Sequence, residues 1–462
     1  MVSACTAALQ PTSEQSNTAP KNIIMVVADG MGPAYVTAYR NYRDDPATPR
    51  VENVVFDQIL TGTASTYPAQ VSGYVTDSAA SATALASGVK SYNGAIGVDV
   101  NKQPVKTVLH AAKLQGMKTG VAVTSQVVHA TPAAYVAANE SRRNYNQIAD
   151  SYFDDRINGD FALDVILGGG QIYFERDERN ITAEFIDAGF QYVDTYNKLA
   201  TLTQPTRVLG LFAPVGLPWA LDDTRHNRLR YLTQHAIKHL QNPNGFFLLV
   251  EASQVDWAGH ANDIASAMAE MHDLAVTMEF LREHVKQNPD TLVVLTADHS
   301  TGGLTIGANG DYRWSPEYLH NMTASIEATT KAIAESDDRI ATVEAAFGFT
   351  LNEEEKATLN NLDLNLDERS QQAELKKIID QRTNTGWTTW GHTGVDVDVF
   401  AFGQGAEAFR GAMDNTDIAK RIFAYLAAHP AATTVIREDN TQSSNPASSD
   451  GDCSFKDSWR CE

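Results

Sequence analysis

Four apolar runs in this chain each adjoin a residue that can hold a divalent cation through oxygen or imidazole. Residues 23–28 run into Asp29, residues 246–250 into Glu251 and residues 292–297 into Asp298-His299, while His392 stands just ahead of the run 397–402. In an open α/β sheet such groups gather at the carboxyl ends of the strands, where ligands far apart in sequence converge. The arrangement predicts one site for several cations. Asp256-Trp257-Ala258-Gly259-His260 adds a carboxylate and an imidazole that one helical turn brings onto a common face. With Glu251 just ahead of it, a single strand-to-helix passage offers three ligands suited to Zn2+ or Mg2+. Taken alone, Asp256 and His260 also match a helix-surface salt bridge. An unpaired Glu251 at the end of a buried strand would be costly, which weakens that reading.

The other half of the chemistry lies in Thr76-Asp77-Ser78-Ala79-Ala80, where small residues favour a helix beginning near Ser78. Asp77 or Ser78 can serve there simply as an N-cap. A serine at a helix N-terminus also faces unpaired N–H groups and the positive dipole end, which stabilise an oxyanion and attract phosphate. Such a nucleophile needs no histidine base if a metal holds its alkoxide. Asp29-Gly30-Met31-Gly32 and Gly391-His392-Thr393-Gly394 are weak signals singly, because most such strings are turns. Gly302-Gly303, just after Asp298-His299, implies a tight backbone turn against something bulky.

Positioning these residues requires an alternation of strands and helices. Strands are expected near 22–28, 118–124, 246–250, 291–297 and 397–402. The clearest helix runs from Ala261 to about Val285, where Ile264, Met268, Met271, Leu274, Met278 and Leu281 recur at spacings of three and four. The expectation is an α/β fold, a three-layer α/β/α architecture with a central, mostly parallel sheet covered on both faces. Residues from about 305 to 385 break the rhythm. They are acidic and helical and read as an inserted helical subdomain at the rim of the active site, or as a plain pair of surface helices. The catalytic domain is expected over 21–435, between a polar lead-in at 1–20 and a flexible C-terminal tail at 436–462.

The chain has 462 residues, with 36 Lys and Arg against 57 Asp and Glu, for a net charge of −21. That balance argues against nucleic-acid binding, which needs clustered cations to neutralise a phosphate backbone. An anionic substrate would need local cations, hence bound metal and a dedicated arginine. No apolar stretch reaches the roughly 18 residues that span a bilayer. A full secretory leader is missing, but Val2-Ser3-Ala4-Cys5 is similar to the end of a lipoprotein signal, making Cys5 either a lipidation site or a free thiol. Cys453 and Cys461 either close a small disulfide loop, implying an oxidising compartment, or stay unpaired. The expected location is periplasmic or secreted, with lipid anchoring through Cys5 as an option.

In this order the motifs resemble those of the bacterial, metal-dependent alkaline phosphatases, from residue 22 to about 403. Asp29-Gly30-Met31-Gly32 comes first, then Thr76-Asp77-Ser78-Ala79-Ala80, then Ala130-Thr131-Pro132-Ala133-Ala134 with Ser141-Arg142 beyond. Glu251, Asp256 with His260, Asp298-His299 and His392-Thr393-Gly394 follow. The resemblance implies two Zn2+ and one Mg2+. Asp256, His260 and His392 match the ligands of the first zinc, and Asp29, Asp298 and His299 those of the second. Asp29 would bridge to magnesium, with Thr131 and Glu251 completing its ligands. Ser78 matches the nucleophile and Arg142 the phosphate clamp, flanked by Asp77, His129 and Trp257. The resemblance implies hydrolysis of small phosphate monoesters of broad structure through a phosphoserine, in a homodimer or a monomer.

Two positions depart from the enteric pattern: His129 stands where that pattern has Asp, and Trp257 where it has Lys. Both look like the marine bacterial and animal variants, which leaves the metal of the third site open. Diesterase and sulfatase chemistry use a related metal arrangement. Sulfatases, however, need Pro and Arg at the positions held here by Ala80 and Ala82. An inactive relative that only binds metal or anions is the remaining alternative, against which the retained ligand set argues.

Overall fold

The computed structural model describes residues 19–429. Cys5, Cys453 and Cys461 lie outside the described residues, as do the lead-in up to residue 18 and the tail from residue 430.

Ten strands form one sheet. Its order is Gly411–Asp414, Leu60–Ser65, Val397–Gly403, Thr291–Thr296, Asn22–Val27, Phe246–Glu251, Lys118–Gln126, Val165–Gly169, Val208–Leu211 and Gln191–Val193. All neighbours run parallel except around Val397–Gly403, which lies antiparallel to both of its partners. Every residue of Phe246–Glu251 and Thr291–Thr296 is buried. Successive side chains on a strand point to opposite faces, so both faces of the sheet are covered. One helical group is built around Ile264–Gln287, with Pro33–Tyr42 and Arg228–His239 beside it; another joins Ser78–Ser87 to Ala130–Val136 and Asn415–Ala428. This is the α/β architecture expected. Among the described residues no helix is long and apolar enough to cross a membrane.

Register explains why distant ligands meet. Val27 lies opposite both Thr296 and Glu251, so three parallel strands end level with one another. Asp29 and Asp298 follow within two residues of those ends, on the same edge as Glu251. His392 reaches that edge by the opposite logic. It precedes the antiparallel strand, whose start therefore lies where the parallel strands finish, and it pairs with Thr301 in a short antiparallel bridge.

The long helix starts at Ile264, three residues later than its periodicity suggests. Asn262 adopts the left-handed conformation (φ 50°) and ends the helix Gln254–Ala261. Asp263 then caps the next helix, accepting hydrogen bonds from the Ala265 and Ser266 N–H groups at 3.0 and 3.1 Å. Asp256 and His260 thus occupy a short helix of their own, tied to the strand that ends at Glu251. Further along the chain, Thr305–Ile306 pairs with Thr385–Gly386, and four helices lie between them: Ile326–Ala334, Arg339–Phe347, Glu353–Asn360 and Glu368–Thr383.

Candidate active site

Asp29, Glu251, Asp298 and His299 are completely buried, and Asp256 and His260 nearly so. Asp298 continues the strand Thr291–Thr296, and its Oδ1 is held by the N–H groups of Gly30 (3.1 Å) and His299 (3.0 Å). Its Oδ2 lies 3.1 Å from His299 Nε2, and Asp29 Oδ1 lies 3.5 Å from the same nitrogen. Ser78 Oγ also meets that nitrogen, at 3.1 Å. One imidazole nitrogen carries either one proton or one lone pair and cannot satisfy three oxygens at once. Their convergence is the geometry of a cation site rather than of a serine–histidine proton relay.

A second cluster adjoins the first. The His299 and His392 rings stack at 3.5 Å. His392 Nδ1 lies 2.9 Å from the carbonyl of Thr76, and His260 Nδ1 contacts the carbonyl of Trp390. A carbonyl only accepts, so each Nδ1 carries the proton and each neutral ring has its lone pair on Nε2. Those two Nε2 atoms face each other at 3.1 Å, and Asp256 oxygens lie 3.3 Å from His260 Nε2 and 3.7 Å from His392 Nε2. Two lone pairs and a carboxylate aimed at one point suit a tetrahedral Zn2+. Burial, with His299 close by, pushes His392 down to about 3, so its ring stays neutral. Burial alone would raise Asp256, but the imidazoles of His260, His392 and His299 beside it outweigh burial and hold Asp256 well below the usual carboxylate range. The Asp256–His260 pair is therefore no surface salt bridge.

The third cluster brings together Asp29, Glu251 and His129. Glu251 Oε2 accepts from Ser253 Oγ (2.7 Å) and Ser125 Oγ (3.2 Å), whereas Oε1 and both Asp29 oxygens have no hydrogen-bonding partner among the described residues. Burial raises Glu251 to about 7, with Asp298 adding to it and the hydroxyls of Ser253, Thr131 and Ser125 opposing it. Burial also raises Asp29 well above the carboxylate range, with further repulsion from Asp298, Asp256 and Glu251. Buried carboxylates this close together need a counter-charge. The oxygen-rich set of Asp29, Thr131 and Glu251 fits a hard cation such as Mg2+.

Arg142 is the cation at the opposite wall. Its Nη1 donates to Asp77 Oδ2 at 3.1 Å, and its Nη2 lies 3.2 Å from His129 Nε2. His129, pushed down to about 3 by burial and by Arg142, is neutral and accepts this bond. Asp77 has two tasks: its Oδ1 caps the Ser78–Ser87 helix through the Ala80 N–H (2.9 Å), and its Oδ2 orients Arg142. Trp257 stands edge-on to His129 with ring centroids 5.9 Å apart.

The candidate metal-binding, nucleophile, arginine and flanking residues named from sequence fall within this region, whereas the three cysteines lie outside the described residues. Several residues that shape it went unnoticed. Thr301 donates to Asp256 and lies 3.2 Å from His299 Nδ1, and Ser125 and Ser253 fix Glu251. The position of Ser253 two residues beyond Glu251 was a readable signal. The main-chain carbonyls of Thr76 and Trp390 left none.

A family model for alkaline phosphatase matches residues 20–428. Alkaline phosphatase 3 of Bacillus subtilis is 43% identical over 416 residues, spanning 88% of this chain and 89% of its own. The crystal structure of a cold-active alkaline phosphatase from a psychrophilic Shewanella sp. is 51% identical and superposes with a TM-score of 0.83, covering 88% of this chain and 99% of that one. The alkaline phosphatase of the Antarctic bacterium TAB5 is 26% identical with a TM-score of 0.66, over 89% of this chain and 99% of its own. A variant of that enzyme with a histidine changed to aspartate has Mg bound in its M3 site. The family match starts just ahead of the first sheet strand and ends with the last described helix, so the sheet edge and the clusters along it form one inherited unit: the chain belongs to the alkaline phosphatase family, whose members hydrolyse phosphate monoesters.

Proposed function

We propose that this protein hydrolyses phosphate monoesters of broad structure through a transient phosphoserine at Ser78. The observation that carries this reading is the 3.1 Å approach of Ser78 Oγ to the His299 nitrogen on which Asp298 and Asp29 also converge. Asp256, His260 and His392 would hold one zinc, Asp29, Asp298 and His299 a second, and Asp29, Thr131 and Glu251 a magnesium. When bound, such cations lower the pKa of nearby hydroxyl and water oxygens and stabilise the entering and leaving oxygens of an in-line displacement.

The chain's own groups then do the following. Ser78 Oγ loses its proton and forms a bond to phosphorus as the bond to the alcohol oxygen breaks. The alcohol leaves with that electron pair and takes up a proton. Arg142 offers two parallel N–H donors to non-bridging oxygens, while the first turn of Ser78–Ser87 adds the positive end of its dipole. Water next attacks phosphorus on the opposite side, releasing inorganic phosphate and restoring the serine hydroxyl. His129, neutral and bound to Arg142, holds the guanidinium in place without competing for phosphate.

Ser78→Ala should abolish turnover of a simple aryl phosphate while zinc and magnesium contents, measured by elemental analysis, stay at wild-type levels. Full activity in that variant would overturn the nucleophile's assignment. The diesterase, sulfatase and inactive-relative readings gain no support from the site. We further read residues of about 305–385 as an inserted subdomain that borders the cavity beside His260, within a catalytic domain over 21–435. Family resemblance supports a homodimer, and a disulfide between Cys453 and Cys461 would fit a periplasmic or secreted location.

A further inference from the structure

A cavity of about 700 Å3 opens beside His260, between that residue and the helices of the 305–385 segment. Arg369 and Lys376 from Glu368–Thr383 and Lys331 from Ile326–Ala334 line it, together with Asp367 and Glu368 and apolar surface from Ala261; Lys331 is paired with Glu327, and Asp367 is engaged by the Ser370 N–H and hydroxyl. Lys376 is only 8% exposed, and its Nζ donates to the Ala261 carbonyl at 2.9 Å. Among the described residues no carboxylate lies within ion-pair distance of it. Asp263 and Asp380 influence it from further away, but Asp263 is engaged by main-chain N–H groups and Ser266, and Asp380 by the Trp387 indole. Arg369 lies over the exposed ring of Trp390, its guanidinium carbon 4.5 Å from the centroid. Such a contact holds a guanidinium without using up its N–H donors. Burial lowers the Lys376 pKa, and Arg369, two turns earlier on the same helix, lowers it further, while Asp263 and Asp380 oppose the shift.

The cavity adjoins the ligand cluster at His260, the imidazole linked to Ser78 through His392 and His299. In-line displacement puts the leaving oxygen opposite the attacking Ser78. From Ser78 the imidazoles step away in sequence: His299 at 3.1 Å, His392 stacked on it at 3.5 Å, then His260 at 3.1 Å from His392, whose ring borders the cavity. The Trp390 carbonyl fixes His260, and its indole carries Arg369, so Trp390 ties a cavity-lining arginine to the ligand cluster.

We propose that this cavity receives the alcohol portion of the substrate and favours phosphate monoesters whose alcohol bears a second anionic group, with Arg369 and Lys376 as its counter-charges. This rests on the monoesterase reading above. It also answers a problem posed by the whole molecule: a net charge of −21 repels a substrate with two anionic groups unless local cations offset it.

The test compares glycerol 2-phosphate with 2-phosphoglycerate, which carry the same secondary phosphate ester and differ by one carboxylate. The measured quantity is the ratio of kcat/KM for 2-phosphoglycerate to kcat/KM for glycerol 2-phosphate. Arg369→Gln and Lys376→Gln should each lower that ratio about tenfold, the scale of losing one partly screened charge-assisted hydrogen bond. Arg369→Lys, which keeps the charge, should retain most of it. Should the buried Lys376→Gln variant fail to fold, the exposed Arg369→Gln variant decides alone. Ratios within twofold of wild type in Arg369→Gln would overturn the proposal while leaving the monoesterase reading intact; a wild-type protein that turns over neither ester would sink both.

Discussion

Arg142 shows how much chemistry rests on the shape of one side chain. It is buried, tied by Nη1 to Asp77 and by Nη2 to His129, and those two contacts fix the plane of the guanidinium beside Ser78. A lysine placed there would keep the charge but lose the planar fork, and its single ammonium could not hold Asp77 and His129 while binding two phosphate oxygens. Arg142→Lys should therefore lower kcat/KM for an aryl phosphate by about 10- to 100-fold, in line with losing one or two hydrogen bonds to a charged group. Inhibition by inorganic phosphate should weaken in parallel, because the product presents the same oxygens. Steady-state kinetics with phosphate as competitor checks both; a variant with unchanged phosphate inhibition would remove Arg142 from the clamp.

Elements, rather than single residues, set the precision of the site, and Gly30 marks where two of them touch. Its φ of 76° lies in the left-handed region, and a Cβ there would sit 2.5 Å from the Cα of Asp256. Gly159, with φ 78° in the turn between Arg156–Ile157 and Asp160–Phe161 and nothing within 4 Å of its hypothetical Cβ, has a similar φ without the contact. Gly30→Ala should cost about 3 kcal/mol or more, combining strain with overpacking, whereas Gly159→Ala should cost only about 1 kcal/mol. Thermal melts of the two variants separate the terms; equal losses would mean the close approach to Asp256 is unimportant. Sequence reading anticipated the strands that carry Asp29, Glu251 and Asp298, since their apolar runs are long and end in acidic residues. It could not give the antiparallel sense of Val397–Gly403, because an alternating strand reads the same in either direction. Leu60–Ser65 and Gly411–Asp414 also escaped: the second is the edge of the sheet and the first its neighbour, and both carry exposed, small or polar residues. The three ligand clusters were legible as a set of residues, but their sharing of Asp29 and His299 depended on register, which no local pattern encodes.

At the scale of the whole molecule the site is a concentration of buried negative charge inside an already acidic protein, and this couples its stability to pH and metal. Glu251 rises from a model-peptide value of 4.5 to about 7 because burial disfavours its anion. A carboxyl whose folded pKa is raised contributes stability that is fully present below about 4.5 and is lost as pH climbs through about 7. His129 and His392 act in the opposite sense. Both are held near 3 against an ordinary 6.5, so their contributions grow as pH rises over that interval. The Glu251 part must therefore be read as a difference. In chelator-stripped protein, wild type should lose stability relative to Glu251→Gln between pH 4.5 and 7, by about 3 kcal/mol, the shift converted at 1.36 kcal/mol per unit. Asp29 is raised in the same direction and in part by Glu251 itself, so the variant relieves it and the difference widens further. Metal competes with protons for these oxygens, so restoring zinc and magnesium should raise the melting temperature of wild type more at pH 8 than at pH 5. Calorimetry of stripped and reconstituted wild type and Glu251→Gln supplies all four comparisons. Parallel pH profiles for the two stripped proteins would show that Glu251 is not the strained carboxyl its burial implies, and equal metal-induced gains at both pH values would separate the buried charge from cation binding.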